Sequence, residues 1–218
     1  MNDWTRNGDG RGWRYDGDLV IAELPPQDDA NLAYESHPGG GYIYRTHGVP
    51  SSMENLFQDF GKSLEEAAEF FELPLGDIMA LIGIEADRLP NNRFNMTASR
   101  EEQGFESDSG TPHRVSSGLT QCLLSTFNSV QGDFAELMDP IENLTRYELW
   151  VPRRSILGGA AYMARQFKKH PDRVMAFVAA YNAGGVYSDD NVWNMRTYSD
   201  TRIDRWMAFV NDWTAALK

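Results

Sequence analysis

The carboxyl side chain of Glu85 lies where a helical pattern would place an apolar residue. Its segment, ALIGIEADRL (residues 80–89), is predicted to form a helix. One face of this helix carries Ile78, Leu81, Ile82 and Leu89 at the i, i+3, i+4 spacing of a buried stripe. Glu85 lies near the centre of the same face, and Gly83 and Asp87 lie opposite. Burial raises the pKa of a carboxyl group, and a carboxyl protonated near neutral pH can act as a general acid.

A structural role for Glu85 is the alternative, because ion pairs also place charges on helices. Arg88 and Arg93 are the candidate partners.

A second candidate is Tyr181, in the segment AFVAAYNAGGV (residues 176–186). An apolar helical stripe precedes it, and the small residues that follow Asn182 are typical of a helix end. A buried tyrosine hydroxyl usually has a hydrogen-bond partner, so an ordinary core tyrosine is the alternative interpretation.

A third candidate is the segment SGLTQCLLSTF (residues 117–127). A Ser-Gly pair before a helix lets a ligand approach the backbone closely. Gln121 offers a donor and an acceptor that suit sugar amides or hydroxyls, although an amphipathic helix with a surface glutamine would look the same. Further along, the small residues 158–161 indicate close helix packing.

The composition excludes several classes of function. With 32 acidic and 20 basic residues, the net charge of −12 argues against nucleic-acid binding and against attraction to an anionic membrane. No apolar segment is long enough to span a bilayer, and the N-terminal residues have no apolar signal region. The single cysteine, Cys122, is predicted to be a buried and inert thiol. His37 and His47 are too isolated to suggest a metal site, and we expect no cofactor.

Hydrophobic periodicity predicts a mainly α fold. Residues 1–50 are predicted to form an N-terminal arm of two extended segments or a β-hairpin, and residues 51–218 a helical domain. The predicted helices span about 51–60, 63–71, 77–89, 117–130, 152–169, 172–183 and 200–217. Asp77 is the predicted N-cap of the third helix, and Ser63 with Glu66 has capping-box spacing. Residues 91–116 show no periodicity, and such a long connection indicates a functional loop.

Taken in order, these segments resemble the superfamily of lytic transglycosylases and goose-type lysozymes, with their SLT-like domains. The resemblance covers about residues 52–186. It is carried by Glu85, by Gly118-Leu119-Thr120-Gln121, by Ile156 with Gly159, and by Ala180-Tyr181-Asn182-Ala183-Gly184. Ala86 stands where the family usually has serine after the catalytic glutamate, and Thr120 stands where it has methionine.

The segment between these motifs is similar to a narrower group, the phage-type peptidoglycan hydrolases. Their pattern is Arg-x-Glu-Pro-Gly-Tyr, then Ser-Asp, then Thr-Pro-His-Arg-Val-Ser. The matching residues are Arg100, Glu102, Gly104, Ser107, Asp108, Thr111, Pro112, His113 and Arg114. Gln103 replaces the proline. The resemblance implies that the irregular segment is an active-site loop.

The resemblance implies a lysozyme-like helical fold and a peptidoglycan substrate, cut at the β-1,4 bond between N-acetylmuramic acid and N-acetylglucosamine. Glu85 would be the general acid and base, and Tyr181 would form a hydrogen bond near it. The implied substrate-binding residues are Ser117, Gly118, Leu119, Gln121, Asn182 and His113.

Several alternatives stay open at this point. A lytic transglycosylase needs only Glu85, whereas a muramidase would use Glu102 or Asp108 as a second carboxylate. Glu102 could instead pair with Arg100 or Arg114. A non-catalytic peptidoglycan-binding module and a chitinase-like or chitosanase-like hydrolase are the remaining alternatives.

The resemblance to phage enzymes also suggests how the protein reaches its substrate. We expect a monomeric endolysin, made in the cytoplasm without a signal peptide and acting on the cell wall after release through holin lesions. Virion-borne delivery and contact-dependent secretion as a toxin are alternatives. The N-terminal arm would be a docking or cleft-flanking element.

Overall fold

Helices and small antiparallel sheets make up the described part of the protein. The computed structural model describes residues 4–6, 12–26, 31–47, 51–170, 172–174, 181 and 195–217. The α-helices in these ranges are α1 (Ser51–Phe71), α2 (Leu75–Glu85), α3 (Leu124–Val130), α4 (Pro152–Lys169) and α5 (Met195–Ala216). The strands are β1 (Thr5–Arg6), β2 (Gly12–Asp16), β3 (Leu19–Ala22), β4 (Leu32–Ser36), β5 (Tyr42–Thr46), β6 (Ser99–Glu101), β7 (Val115–Ser117) and β8 (Cys122–Leu123). Across these ranges, every helix is too short or too polar to span a lipid bilayer.

The N-terminal arm is a five-stranded sheet, which is larger than the predicted pair of extended segments. Its strand order is β1-β2-β3-β5-β4, and every neighbouring pair is antiparallel. Gly41 allows the turn into β5, because its φ is +86° and an added Cβ would lie 2.5 Å from the carbonyl oxygen of Ala22. Short strands joined by glycine-rich turns leave too few residues each for a clear alternating pattern.

The sheet packs against α5 through a buried amide. Oδ1 of Asn211 accepts a hydrogen bond of 2.9 Å from the Val20 amide, and Nδ2 donates to the carbonyl oxygens of Val20 and Tyr44 at 3.0 and 3.2 Å. The arm therefore contacts the helical part directly. The division of the chain at residue 50 stays a prediction.

The next residue of α5, Asp212, is a buried carboxyl group beneath the same sheet. Its Oδ2 accepts hydrogen bonds from the backbone amide and the hydroxyl of Thr46. Its Oδ1 has no hydrogen-bond partner among the residues the structure describes. Burial outweighs the hydrogen bonds from Thr46 and raises the pKa of Asp212 to about 6.

This buried carboxyl predicts a loss of stability as the pH rises from about 4 to about 6. In that window the native state keeps the Asp212 proton while the unfolded state has lost it, so raising the pH favours unfolding. From the usual pKa of 3.8 to the raised one, the loss is about 3 kcal/mol. Urea unfolding of the parent and of Asp212→Asn across this window measures it. Parallel stability curves for the two proteins would contradict the prediction.

The structure corrects several predicted helix boundaries. α1 is one helix of 21 residues, so Ser63 and Glu66 lie inside it and form no capping box. α2 begins at Leu75, and the predicted N-cap Asp77 is a buried residue of its first turn. Asp77 instead forms a bidentate ion pair with Arg173, whose Nε and Nη2 donate to its two carboxylate oxygens at 2.8 and 2.5 Å.

α2 is buried on more than the one face that the sequence predicts. Gly83, predicted to face away from the core, packs against α5, where an added Cβ would lie 2.8 Å from the ring of Phe209. A Cβ on Gly76 would likewise lie 3.0 Å from the ring of Trp213. The two helices therefore run antiparallel in close contact. Leu89, predicted to share the buried stripe, lies beyond the end of α2 and is exposed.

The predicted irregular segment and the start of the helix after it form the small sheet β6-β7-β8. The predicted helix at 117–130 is present only as α3, which begins at Leu124. In contrast, α4 spans the predicted residues 152–169. Its small residues allow the predicted close packing, since a Cβ on Gly159 would lie 2.5 Å from the side chain of Thr120. Cys122 is buried, as predicted.

Candidate active site

Glu85 is the last residue of α2 and is 6% exposed. Ile78, Leu81 and Ile82, the apolar residues predicted to share its face, are buried in the core. The prediction that this carboxylate lies in a buried environment is confirmed. A carboxyl group in such surroundings needs either a proton or a partner.

The partner of Glu85 comes from the C-terminal helix. Nη2 of Arg202 on α5 forms an ion pair with Oε1 of Glu85. The partners predicted for a structural ion pair were Arg88 and Arg93, but the observed partner is Arg202. Burial, together with the nearby charge of Arg205, lowers the pKa of Arg202 to about 10, so its guanidinium keeps its charge at neutral pH.

The backbone of Glu85 is held by Arg100 on β6. Nη2 of Arg100 donates a hydrogen bond of 2.9 Å to the carbonyl oxygen of Glu85 and one of 2.8 Å to Oδ1 of Asp87. The last carbonyl groups of a helix have no partner within the helix, and a cation there is favoured by the helix dipole. Arg100 therefore fixes the end of α2 relative to the loop.

Glu102 lies two residues after Arg100 and is exposed. Neither predicted partner reaches it, because Arg100 pairs with Asp87 and Nη1 of Arg114 donates to the carbonyl oxygen of Gln103. Within the described ranges, Glu102 forms no ion pair. Its carboxylate is therefore open to solvent at the edge of the loop.

Asp108, the other candidate second carboxylate, is engaged with Arg146. Its Oδ1 accepts a hydrogen bond of 2.9 Å from Nε of Arg146, and its Oδ2 accepts one of 2.9 Å from the backbone amide of the same residue. Glu101 also pairs with Arg146. This arrangement ties the loop of residues 102–114 to the segment before α4.

Gln121 lies in a turn between β7 and β8 and is 8% exposed. Its amide group donates to the carbonyl oxygens of Ala98 and Gly118 at 3.1 and 2.7 Å, and its Oε1 accepts from the hydroxyl of Ser116 at 3.1 Å. Both amide hydrogens are thus used within the protein. The side chain holds the turn, whose backbone has a φ of +44° at Gln121.

Three predicted substrate-binding residues lie in the interior. Ser117 and Leu119 are fully buried, and Gly118 is packed against the carbonyl oxygen of Leu149. Because these three residues are buried, they cannot contact a glycan directly in this structure, although the sequence predicts such contact. The hydroxyl of Ser117 bonds instead to Ser99 at 2.7 Å and so joins β6 to β7.

Tyr181, predicted to form a hydrogen bond near Glu85, is buried. Its hydroxyl donates a hydrogen bond of 3.1 Å to the carbonyl oxygen of Thr120. Because a phenol has one hydrogen, that donor is used. Burial, and next the neighbouring Cys122, raise the pKa of Tyr181 well above its usual value, so it stays neutral. Asn182 lies outside the described residues.

His113 is exposed in the short 3₁₀-helix Pro112–Arg114. A cavity of about 640 Å³ lies beside the same loop. Its lining includes Phe105, Glu106, Asp108, Asn128, Asn143 and Tyr147. Aromatic rings and amide groups of this kind suit a carbohydrate. Groups of three or more His, Cys, Asp or Glu side chains that could hold a metal ion do not occur in the described ranges.

Arg202 is the residue of the site that sequence reasoning missed. A signal for it exists, because Arg202 shares a helical face with the buried residues Trp206, Phe209 and Trp213 at the spacing i, i+4, i+7, i+11. It is thus a charge on an apolar face, as Glu85 is on α2. Two opposite charges on two apolar faces indicate a buried pair.

Comparison with known protein families gives the following match. The family model described as "Transglycosylase SLT domain" matches residues 65–203, which include Glu85, the loop of residues 102–114, Tyr181 and Arg202. Comparison with curated proteins gives no match.

Proposed function

Because this chain belongs to the transglycosylase SLT domain family, we propose that Glu85 cleaves the β-1,4 bond between N-acetylmuramic acid and N-acetylglucosamine in peptidoglycan. Members of the family are peptidoglycan glycosidases of the lytic transglycosylase class. The observation that carries the proposal is the buried carboxyl group of Glu85, inside the matched region and beside the loop.

The proposed reaction has two proton transfers and needs no water. The protonated carboxyl of Glu85 gives its proton to the glycosidic oxygen as the bond from that oxygen to C1 of the muramic acid breaks. The N-acetylglucosamine part leaves with a free 4-hydroxyl. The carboxylate of Glu85 then takes the proton of the C6 hydroxyl as its oxygen bonds to C1. This closes a 1,6-anhydro ring and restores the acid form of Glu85.

A muramidase is the second candidate, and the exposure of Glu102 favours it. Its carboxylate is open to solvent and without an ion pair among the described residues, so it could activate a water molecule. Asp108 is less available to a water molecule, because both of its carboxylate oxygens accept hydrogen bonds from Arg146.

The products decide between the two reactions. Purified peptidoglycan is digested with the parent protein and with Glu85→Gln, and the fragments are analysed by mass spectrometry. The lytic transglycosylase predicts 1,6-anhydro-N-acetylmuramic acid ends with the parent protein and their loss in the variant. Reducing N-acetylmuramic acid ends would indicate the muramidase, and no cleavage by the parent would indicate a peptidoglycan-binding module.

We also propose that the protein is a monomeric endolysin of the phage type. Support comes from the similarity of the loop residues 99–121 to phage-type hydrolases. The test is expression in bacteria with and without a holin, with lysis expected only in its presence. Lysis that requires no holin would contradict this route and favour virion delivery or secretion.

A further inference from the structure

The ion pair between Glu85 and Arg202 is held almost entirely away from water. The side chain of Glu85 is 8% exposed and that of Arg202 is 12% exposed. A guanidinium group beside a buried carboxylate favours the ionised form of that carboxylate. General acid catalysis, however, requires the protonated form. While the ion pair with Arg202 is formed, the carboxylate of Glu85 can therefore accept a proton but has none to donate.

The packing of α2 on α5 fixes this pair in place. Along the interface, Gly76 meets Trp213, Gly83 meets Phe209, and Glu85 meets Arg202. The three α5 residues share one helical face. The two glycines let the aromatic rings approach the α2 backbone, so the relative position of the helices is set by close contact. The packing of α5 on α2 thus places the side chain of Arg202 next to Glu85.

The other charged groups at this end of α2 are mostly positive. They are Arg205 on α5, Arg100 on β6, and Asp87 and Arg88 in the segment after α2. Asp87 is paired with Arg100 at 2.8 Å. The charge of Arg88 contributes to lowering the pKa of Asp212. Among the described residues, Arg202 is the cation in direct contact with the Glu85 carboxylate.

We propose that Arg202 is a positioning residue that holds Glu85 as a carboxylate in the free enzyme and thereby sets the upper pH limit of glycan cleavage. The inference rests on the proposed role of Glu85 as the general acid. At low pH, protonation of Glu85 breaks the ion pair and produces the acid that the first step needs. At higher pH the pair persists, and the first step fails for lack of a proton.

The test is the pH dependence of cleavage at low substrate concentration, measured for the parent, Arg202→Gln, Arg202→Met and Arg202→Lys. Without a cation beside it, Glu85 holds its proton to higher pH. The alkaline fall in rate should therefore move upward by about 1 to 3 pH units in the glutamine and methionine variants. The lysine variant keeps a charge and should stay close to the parent. If the pH at which the rate falls on the alkaline side stayed the same in both Arg202→Gln and Arg202→Met, the proposal would be overturned.

A matched control is Arg153→Gln, which removes another arginine from a partly buried ion pair. Arg153 bonds to Glu66 between α4 and α1, with distances of 2.6 and 2.8 Å. This variant should lose stability without any change in the pH profile. If its alkaline limb moved as far as that of Arg202→Gln, the shift would reflect general loosening and the proposal would fail.

A second readout does not depend on activity. Carbon NMR of glutamate-labelled protein, with Glu85→Gln to assign the signal, follows the ionisation of Glu85 directly. The proposal expects Glu85 to be ionised at pH 7 in the parent and to titrate at higher pH in Arg202→Gln. A neutral Glu85 at pH 7 in the parent would overturn it. If the NMR result holds while the parent cleaves no peptidoglycan, the proposed function has failed and the ionisation control by Arg202 has not.

Discussion

Glu85→Gln should cleave peptidoglycan about 10² to 10⁴ times more slowly than the parent, which is the usual size of a general acid contribution. The amide is nearly the same size as the carboxyl group, and its oxygen can still accept a hydrogen bond from Arg202. It has no acidic proton for the glycosidic oxygen. The loss should therefore appear in the rate of the chemical step, with folding retained. Initial rates of fragment release, alongside thermal unfolding curves, measure both quantities.

Two further variants make this result specific. Glu69→Gln removes an exposed carboxylate on α1 and should leave the rate unchanged. Glu102→Gln should also leave it unchanged for a lytic transglycosylase but should lower it for a muramidase. If Glu85→Gln retained the parent rate in a folded protein, Glu85 would have no part in the chemistry.

Gly118→Ala should destabilise the protein by about 2 to 5 kcal/mol, the sum of a left-handed backbone cost and an overpacking cost. The φ of Gly118 is +75°, which a residue with a Cβ rarely adopts. That Cβ would lie 2.0 Å from the carbonyl oxygen of Leu149 and 2.6 Å from the hydroxyl of Ser155. Backbone atoms cannot rotate away as a flexible side chain can, so the turn itself must move. Urea unfolding measures the loss.

Gly132→Ala is the matched control for this substitution. Gly132 lies in a short 3₁₀-helix, and an added Cβ there would have no atom within 4 Å. Alanine should then stabilise the protein by about 0.4 to 1 kcal/mol, because it restricts the unfolded chain. Similar unfolding energies for the two variants would show that the close contact at Gly118 is not the cause.

The parts of the fold that the sequence predicted well are those set by local periodicity. α4 follows from apolar and small residues repeated at helical spacing after Pro152, and its observed range equals the predicted one. The buried position of Glu85 follows in the same way, from the apolar residues that share its helix face. Such patterns depend on residues only a few positions apart.

The missed features depend on contacts between distant residues or on unusual backbone. The ion pair with Arg202 joins two helices that are far apart in the sequence. The apolar face around Arg202 indicates that this arginine is buried, but no local pattern specifies that it reaches Glu85. The turn at Gln121 needs a positive φ that most residues with a side chain avoid, so a continuous helix was the natural expectation. The hydroxyl of Tyr181 donates to the backbone carbonyl oxygen of Thr120, and side-chain motifs in a sequence do not predict backbone partners.

The amide of Asn211, which joins the N-terminal sheet to α5, has a consequence for the order in which the molecule is made. It bonds to Val20 across 191 residues of sequence, and the same helix supplies Arg202 to Glu85. During synthesis, the first strands leave the ribosome long before this helix exists. Contacts of such long range form late and slowly. The ion pair around Glu85 is therefore completed only after α5 has emerged.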